Sequence, residues 1–240
     1  MNPTELRDAA LALEGRPAEA VLRWAADRFP GRVTFGTGFG VEGCALIDLI
    51  GRECLPIDLF TLDTGLLFPE TYALWKQLEA RYGLTIRAVR PAYTVPEQAE
   101  REGANLWQRN PDRCCLLRKV SPLERALAGF DAWISAIRRD QTRDRGTAAV
   151  VERDPRSDRV KLNPLAGWTG EDVWRHVREH AVPYNPLHDE GYLSIGCAPC
   201  TTPVLPGEDP RAGRWRGRGK TECGLHLRRP AENVGEATGR

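Results

Sequence analysis

Arg32-Val33-Thr34-Phe35-Gly36-Thr37-Gly38-Phe39-Gly40-Val41 is a short apolar strand that runs into a glycine-rich turn. Across residues 41–50 the apolar side chains then recur at helical spacing. Strand, glycine turn and helix in that order aim backbone N–H groups and a helix N-terminus at a phosphate. The turn lacks the Gly-Lys-Ser/Thr of a Walker A loop, and its glycines stand too close for a full dinucleotide fingerprint. Taken alone it is equally a tight strand-to-helix connection.

The same alternation extends in both directions. Upstream, residues 4–29 carry apolar side chains at helical spacing, broken at Gly15-Arg16-Pro17, which predicts two helices. Downstream, 57–62 is a strand ending in Asp63-Thr64-Gly65, 69–82 a helix opening on Pro and Glu, and 84–89 a strand. Residues 96–103 and 114–128 read as helices, with Pro122 a kink or restart. Residues 131–137 read as a strand leading into Arg138-Arg139-Asp140-Gln141, 148–151 and 159–162 as edge strands, and 169–180 as a helix capped by Thr169. After Val182 the chain is rich in Pro and Gly and has no period.

Strands alternating with helices predict an α/β fold with a mostly parallel, twisted sheet flanked by helices. Ligands of such sheets bind outside the carboxyl ends of the strands. That rule sets residues 36–40, Asp63-Thr64-Gly65 and Arg138-Arg139 along one edge. The expected division is one nucleotide-binding domain, residues 1–205, and a mobile C-terminal tail, residues 206–240.

Composition narrows the class. The 41% hydrophobic and 28% charged residues are those of an ordinary globular chain, and a net charge of +1 carries no nucleic-acid signature. Cations nevertheless crowd the end, at Arg211, Arg214, Arg216, Arg218, Lys220, Arg228 and Arg229, which implies an anionic partner. No apolar run reaches the ~18 residues of a membrane span, and residues 1–14 do not form a signal peptide. The expectation is a cytoplasmic protein, in which seven cysteines argue for metal binding or catalysis over disulfides.

Four of those cysteines form two tight pairs, Cys114-Cys115 and Cys197-Ala198-Pro199-Cys200. Structural zinc sites space paired ligands two to four residues apart, which the doublet does not match. An iron–sulfur cube presents separate corners, so adjacent residues can ligate different irons. Arg113, Arg118 and Lys119 are placed to offset the charge of four thiolates. A fifth cysteine, Cys223, lies among Lys220, His226 and arginines. Nearby cations favour the thiolate, the nucleophilic form, which points to covalent chemistry on an anionic substrate.

These stretches together resemble the PAPS/APS reductase family, in its assimilatory, iron–sulfur-bearing branch. The resemblance is carried by the Cys-Cys-x-x-Arg-Lys-x-x-Pro-Leu run at 114–123, by Leu62-Asp63-Thr64-Gly65 and by Arg138-Arg139-Asp140-Gln141. Val182-Pro183-Tyr184-Asn185-Pro186-Leu187-His188, Arg211, Arg214 and Glu222-Cys223-Gly224-Leu225-His226 extend it over roughly residues 20–227. It implies an adenine-nucleotide α-hydrolase-like fold and one [4Fe–4S] cluster per chain on Cys114, Cys115, Cys197 and Cys200. It implies Cys223 as the nucleophile toward adenosine 5′-phosphosulfate (APS), and thioredoxin or glutaredoxin as reductant. Gly36, Thr37, Gly38, Gly40, Leu62, Asp63, Thr64, Gly65 and Arg138 would bind the nucleotide. Arg118, Lys119, Arg211 and Arg214 would surround the phosphosulfate, and His226 would contact the substrate.

Two features depart from the family's pattern. The glycine turn has no serine, and the link from Arg214 to Cys223 is short. Three rival readings stand beside this one. They are the 3′-phosphorylated substrate PAPS, an ATP-using adenylyl-transfer or thiolation enzyme of the same fold, and a non-catalytic metal-bearing nucleotide sensor. A homo-oligomer is compatible with the sequence.

Overall fold

In the computed structural model, which describes residues 1–154, 156–220 and 222–225, the first helix begins where its caps dictate. Asn2 and Glu5 exchange reciprocal side-chain and backbone bonds ahead of α1, Pro3–Leu13. After the Gly15-Arg16-Pro17 break comes α2, Ala18–Arg28. The opening stretch forms β1, Val33–Thr37, and Gly40 caps α3, Val41–Arg52, which is buried along most of its length.

The alternation continues through β2, Asp58–Leu62; α4, Pro69–Tyr82, ended by Gly83 in the left-handed region at φ 63°; and β3, Ile86–Val89. Helix α5, Val95–Glu102, has a Thr94–Glu97 capping box. Short helices α6, Leu106–Arg109, and α7, Pro111–Cys115, lead into a π-helical turn, Leu116–Val120, and then α8, Ser121–Ala126. The chain continues through β4, Ala132–Ile134, β5, Val151–Arg153, β6, Val160–Leu162, and α9, Gly170–Glu179, which Thr169 caps as expected.

The six strands lie in the order β3-β2-β1-β4-β6-β5, all parallel except β5, which runs antiparallel to β6 at the edge. Phe35 of β1 stands in register with Leu59 of β2 and Ile134 of β4. Alternation along the strands divides the apolar residues between two faces. Phe35, Leu59 and Ile134 join the large core beneath α2, α3 and α9, whereas Phe60 and Trp133 face α8 through Leu123 and Ala126. The order reverses between β1 and β4, where β1 leads outward to β3 and the chain returns on the other side. That is the switch point at which open α/β sheets leave a crevice.

The single helix expected over 114–128 is three segments. The π turn supplies the break, and Pro122 sits at the start of α8 rather than at a kink. The strand expected over 131–137 leaves the ladder after Ile134. Ser135 keeps one bond from its N–H to Leu162 O at 2.9 Å, and residues 135–137 then line the crevice instead. The edge strand expected over 148–151 begins at Val151. Among the described residues no helix is long and apolar enough to cross a membrane.

Candidate functional site

The glycine turn is shaped by close approach. A methyl on Gly36 would meet the Phe60 ring at 2.7 Å, and one on Gly43 would meet Thr37 Oγ1 at 2.7 Å. Phe39, not a glycine, takes the left-handed conformation at φ 57°, fully buried and stacked on Trp75 at 5.6 Å. Its N–H donates to Thr37 Oγ1 at 3.1 Å. The buried aromatic holds the strained backbone, and Gly38 faces open space.

A cavity of about 530 Å³ opens at the carboxyl ends of β1, β2 and β4. Gly36, Thr37, Gly38 and Gly40 line it from the turn, Leu62 and Thr64 from the end of β2, and Arg138 from beyond β4. Lys119, Arg211, Arg214 and Cys223 complete the set of expected residues on its wall. Among the described residues five cations line it, Lys119, Arg138, Arg145, Arg211 and Arg214, against three carboxylates, Glu42, Asp140 and Asp209. Arg138 is matched by Glu42 and by Asp140 at 2.8 Å. The positive surplus therefore lies toward Lys119, Arg211 and Arg214, the end that holds Cys223. The opposite wall is apolar, with Phe60, Leu123, Trp133 and Leu225.

Three expected residues lie off this wall. Asp63 turns away and accepts from Tyr72 Oη at 2.7 Å, Arg90 Nε at 3.0 Å and Gly65 N at 3.1 Å. Burial alone would raise its carboxyl, but these bonds hold it below the ordinary carboxylate value. Gly65 allows the turn at φ 67°. Buried Arg118 donates to Thr64 O at 2.6 Å and Gln98 Oε1 at 3.0 Å, on the side of a second cavity. His226, Arg228 and Arg229 fall outside the described residues.

That second, smaller cavity is lined by Cys114, Cys115, Cys197 and Cys200 together with Leu66, Trp107 and Pro111. The two distant pairs meet because Ala198 N donates to Leu66 O at 2.8 Å, next to a bridge between Leu67 and Cys197. Thr64 Oγ1 lies 3.3 Å from Cys197 Sγ. Burial pushes the Cys115 thiol up to about 12, and burial with the charges of Cys197 and Cys200 raises Cys114. Among the described residues no three His, Cys, Asp or Glu side chains converge on a single metal-ion site. Trp215 is buried, with its backbone in the left-handed region at φ 48°. Its backbone N–H donates to Cys200 O at 3.0 Å, and its ring lies 5.9 Å from Lys119 Nζ, 5.4 Å from Lys220 Nζ and 4.6 Å from Arg214 Cζ.

Lys119 and Cys197 line both cavities. Burial presses the Lys119 ammonium down, but negative charge on the sulfurs of Cys197, Cys223 and Cys115 outweighs it and leaves the value raised, so the group is a fixed cation. The reading from sequence missed Glu42, Ser135, Gln141 and Arg145, all on the larger cavity. Gln141 ends a stretch already singled out; nothing local marks Arg145.

The phosphoadenosine phosphosulfate reductase domain model matches residues 32–203. Adenosine 5'-phosphosulfate reductase 1 of Bacillus subtilis (strain 168) is 47% identical over 210 residues, 87% of this chain and 90% of its own length. Phosphoadenosine 5'-phosphosulfate reductase of Gloeobacter violaceus is 46% identical over 229 residues, 94% of this chain and 95% of its own. Among solved structures, the phosphate complex of phosphoadenylyl-sulfate reductase from Candida auris superposes with a TM-score of 0.76 at 33% identity. That match covers 84% of this chain and 98% of the other.

Proposed function

The chain belongs to the phosphoadenosine phosphosulfate reductase family, and from that premise we propose that it reduces APS to sulfite and AMP through an S-sulfonate on Cys223. One observation carries this reading: Cys223 shares a cavity wall with Lys119, Arg211 and Arg214 at the switch point of the sheet. The apolar wall of Phe60, Leu123 and Trp133 suits an adenine base, the turn at 36–40 suits the 5′-phosphate, and the surplus cations suit the sulfonate end.

In this mechanism the Cys223 thiolate attacks the sulfonate sulfur. The sulfur–oxygen bond to the phosphate breaks, and AMP leaves with the electron pair. Arg211, Arg214 and Lys119 stabilise the charge gained by the leaving phosphate. A thiolate of thioredoxin or glutaredoxin then attacks Cys223 Sγ, and sulfite leaves with the electrons of the sulfur–sulfur bond. The reductant's second thiol resolves the mixed disulfide, so the dithiol supplies both electrons and Cys223 is restored.

The four thiols ranged round one cavity, with Arg118 and Lys119 at its wall, fit a thiolate-ligated [4Fe–4S] cluster, whose corners are separate. Burial raises the Cys114 and Cys115 thiols, and a bound metal's positive charge would offset that cost by favouring the thiolates. When bound, such a cluster fixes the four thiolates and contributes their field to the shared wall. Seven cysteines outside any disulfide suit a reducing compartment, the cytoplasm. In this reading residues 1–205 form the nucleotide-binding unit and 206–240 the segment that carries the nucleophile.

The test uses APS and no reductant. A single adduct bearing sulfonate and no nucleotide should map to Cys223, and added thioredoxin should discharge it as sulfite. Cys223→Ser should bind APS without forming an adduct, since a hydroxyl is the weaker nucleophile. Sulfite release by the serine variant would remove Cys223 from the reaction. Reduction of PAPS is the second reading, favoured by the name of the Gloeobacter relative.

A further inference from the structure

The residue before Cys223 carries a buried charge that the reaction itself does not use. Glu222 is 6% exposed, and its carboxylate meets Arg145 Nη2 at 2.9 Å and Arg211 Nη2 at 3.3 Å. Both arginines line the larger cavity and Glu222 does not, so the carboxylate grips them from behind. Two guanidinium groups against one carboxylate leave a net positive charge for a substrate anion. The contacts continue inward: Arg145 donates to Gln141 Oε1, Gln141 Nε2 donates to Glu42 Oε1 at 2.8 Å, and Glu42 pairs with Arg138. A polar chain thus joins the start of α3 to the neighbour of Cys223.

The other flank of Cys223 is fastened separately. Arg156 Nη1 donates to Gly224 O at 2.6 Å, while its Nη2 meets Glu124 Oε1 at 3.2 Å. Leu225 packs on the apolar group around Phe60, Leu123 and Trp133. A buried carboxylate is costly unless paired, and charge-assisted bonds are the strong ones. The fastening at Glu222 is therefore the one whose loss most readily frees the segment.

We propose that Glu222 is a positioning residue for the sulfur-transfer step: clamped by Arg145 and Arg211, it seats the Cys223 thiol in the cavity wall. The proposal rests on Cys223 as the nucleophile, and its test has one arm that needs no substrate. In the full chain, Glu222→Gln keeps the shape of the side chain and removes its charge. Alkylation of Cys223 by iodoacetamide, followed by peptide mapping, reads access to the thiol. The rate is followed against pH up to its plateau, so that access to the thiol is read apart from its ionisation. Ionisation moves the midpoint of that profile, whereas release of the segment lifts its plateau.

The expected result is a plateau raised about tenfold or more. Single-turnover sulfonation by APS should fall by about the same factor, with KM for APS changed less than about twofold. Arg145→Gln should lift the plateau as well, and Glu222→Asp, which keeps the charge on a shorter arm, should fall between. These two variants carry the test if Glu222→Gln does not fold. An unchanged plateau in the folded variants overturns the clamp, whatever the sulfonation rate does. A native chain that takes no sulfonate from APS refutes the proposed function, and the plateau alone then decides the clamp.

Discussion

Lys119 occupies the wall shared by the two cavities, with its ammonium near Cys115, Cys197 and Cys223. The π turn sets it there. Five residues, Leu116–Val120, form a π turn between α7 and α8, and its successive residues Arg118 and Lys119 point to different sides. Arg118 reaches Thr64 O on the cysteine side, and Lys119 reaches the larger cavity. Lys119→Ala should slow sulfonation of Cys223 by about a hundredfold, the scale of one preorganised donor lost at a developing charge, without unfolding the chain. An unchanged single-turnover rate would rule out the role. Because the lysine's value is raised, the native rate should show no step from its ionisation near neutral pH.

Helices α3, α4 and α9 are joined by one buried acid away from the cavity. Asp48 of α3 accepts from Tyr82 Oη at 2.8 Å, lies 2.8 Å from His176 Nε2 of α9 and has Arg52 Nη1 at 3.5 Å. Burial by itself would raise this carboxyl; the bonds from His176 and Tyr82 and the charge of His176 and Arg52 hold it below its ordinary value. A depressed folded value means that the stabilisation is present above the unfolded value, about 4, and is lost as pH falls through the folded one. Asp48→Asn should lower Tm at pH 7 by roughly 6–12 °C, as expected for breaking a buried pair in a chain of this size. The gap between native and variant should narrow below pH ~4. A gap that stays constant from neutral pH to strong acid would show that the charge of Asp48 is not what joins these helices.

At the scale of the whole molecule, two cavities meet at one wall, and each makes a separate prediction. Anaerobically purified chain should be brown and hold about four irons, the content of one Cys₄ cubane; one zinc and no iron would exclude the cluster. In kcat/KM, APS should be preferred over PAPS. The cation surplus lies at the Lys119, Arg211 and Arg214 end, and Arg138 at the nucleotide end is already matched by Glu42 and Asp140, which leaves little charge for a 3′-phosphate. A preference for PAPS would show that charge to be available once substrate binds.

The alternation of strands and helices, the parallel sheet, the Thr169 cap and the paired cysteines are legible in the chain because each depends on neighbours within a few residues. Periodicity places a residue on a face, and a cap needs only the next turn. The break in the helix after Cys115 was not legible, since a π turn is selected by what its side chains must reach. Nor was the company of Arg145, which meets Glu222 from 77 residues away. The same holds for Asp63, expected at the nucleotide, and Arg118, expected at the phosphosulfate, which the fold turns toward Tyr72 and Gln98. The sequence by itself determined the candidate residues and the end of the sheet at which the glycine turn lies. The tertiary structure decided which of them share a wall, because buried charges settle where partners from distant segments satisfy them.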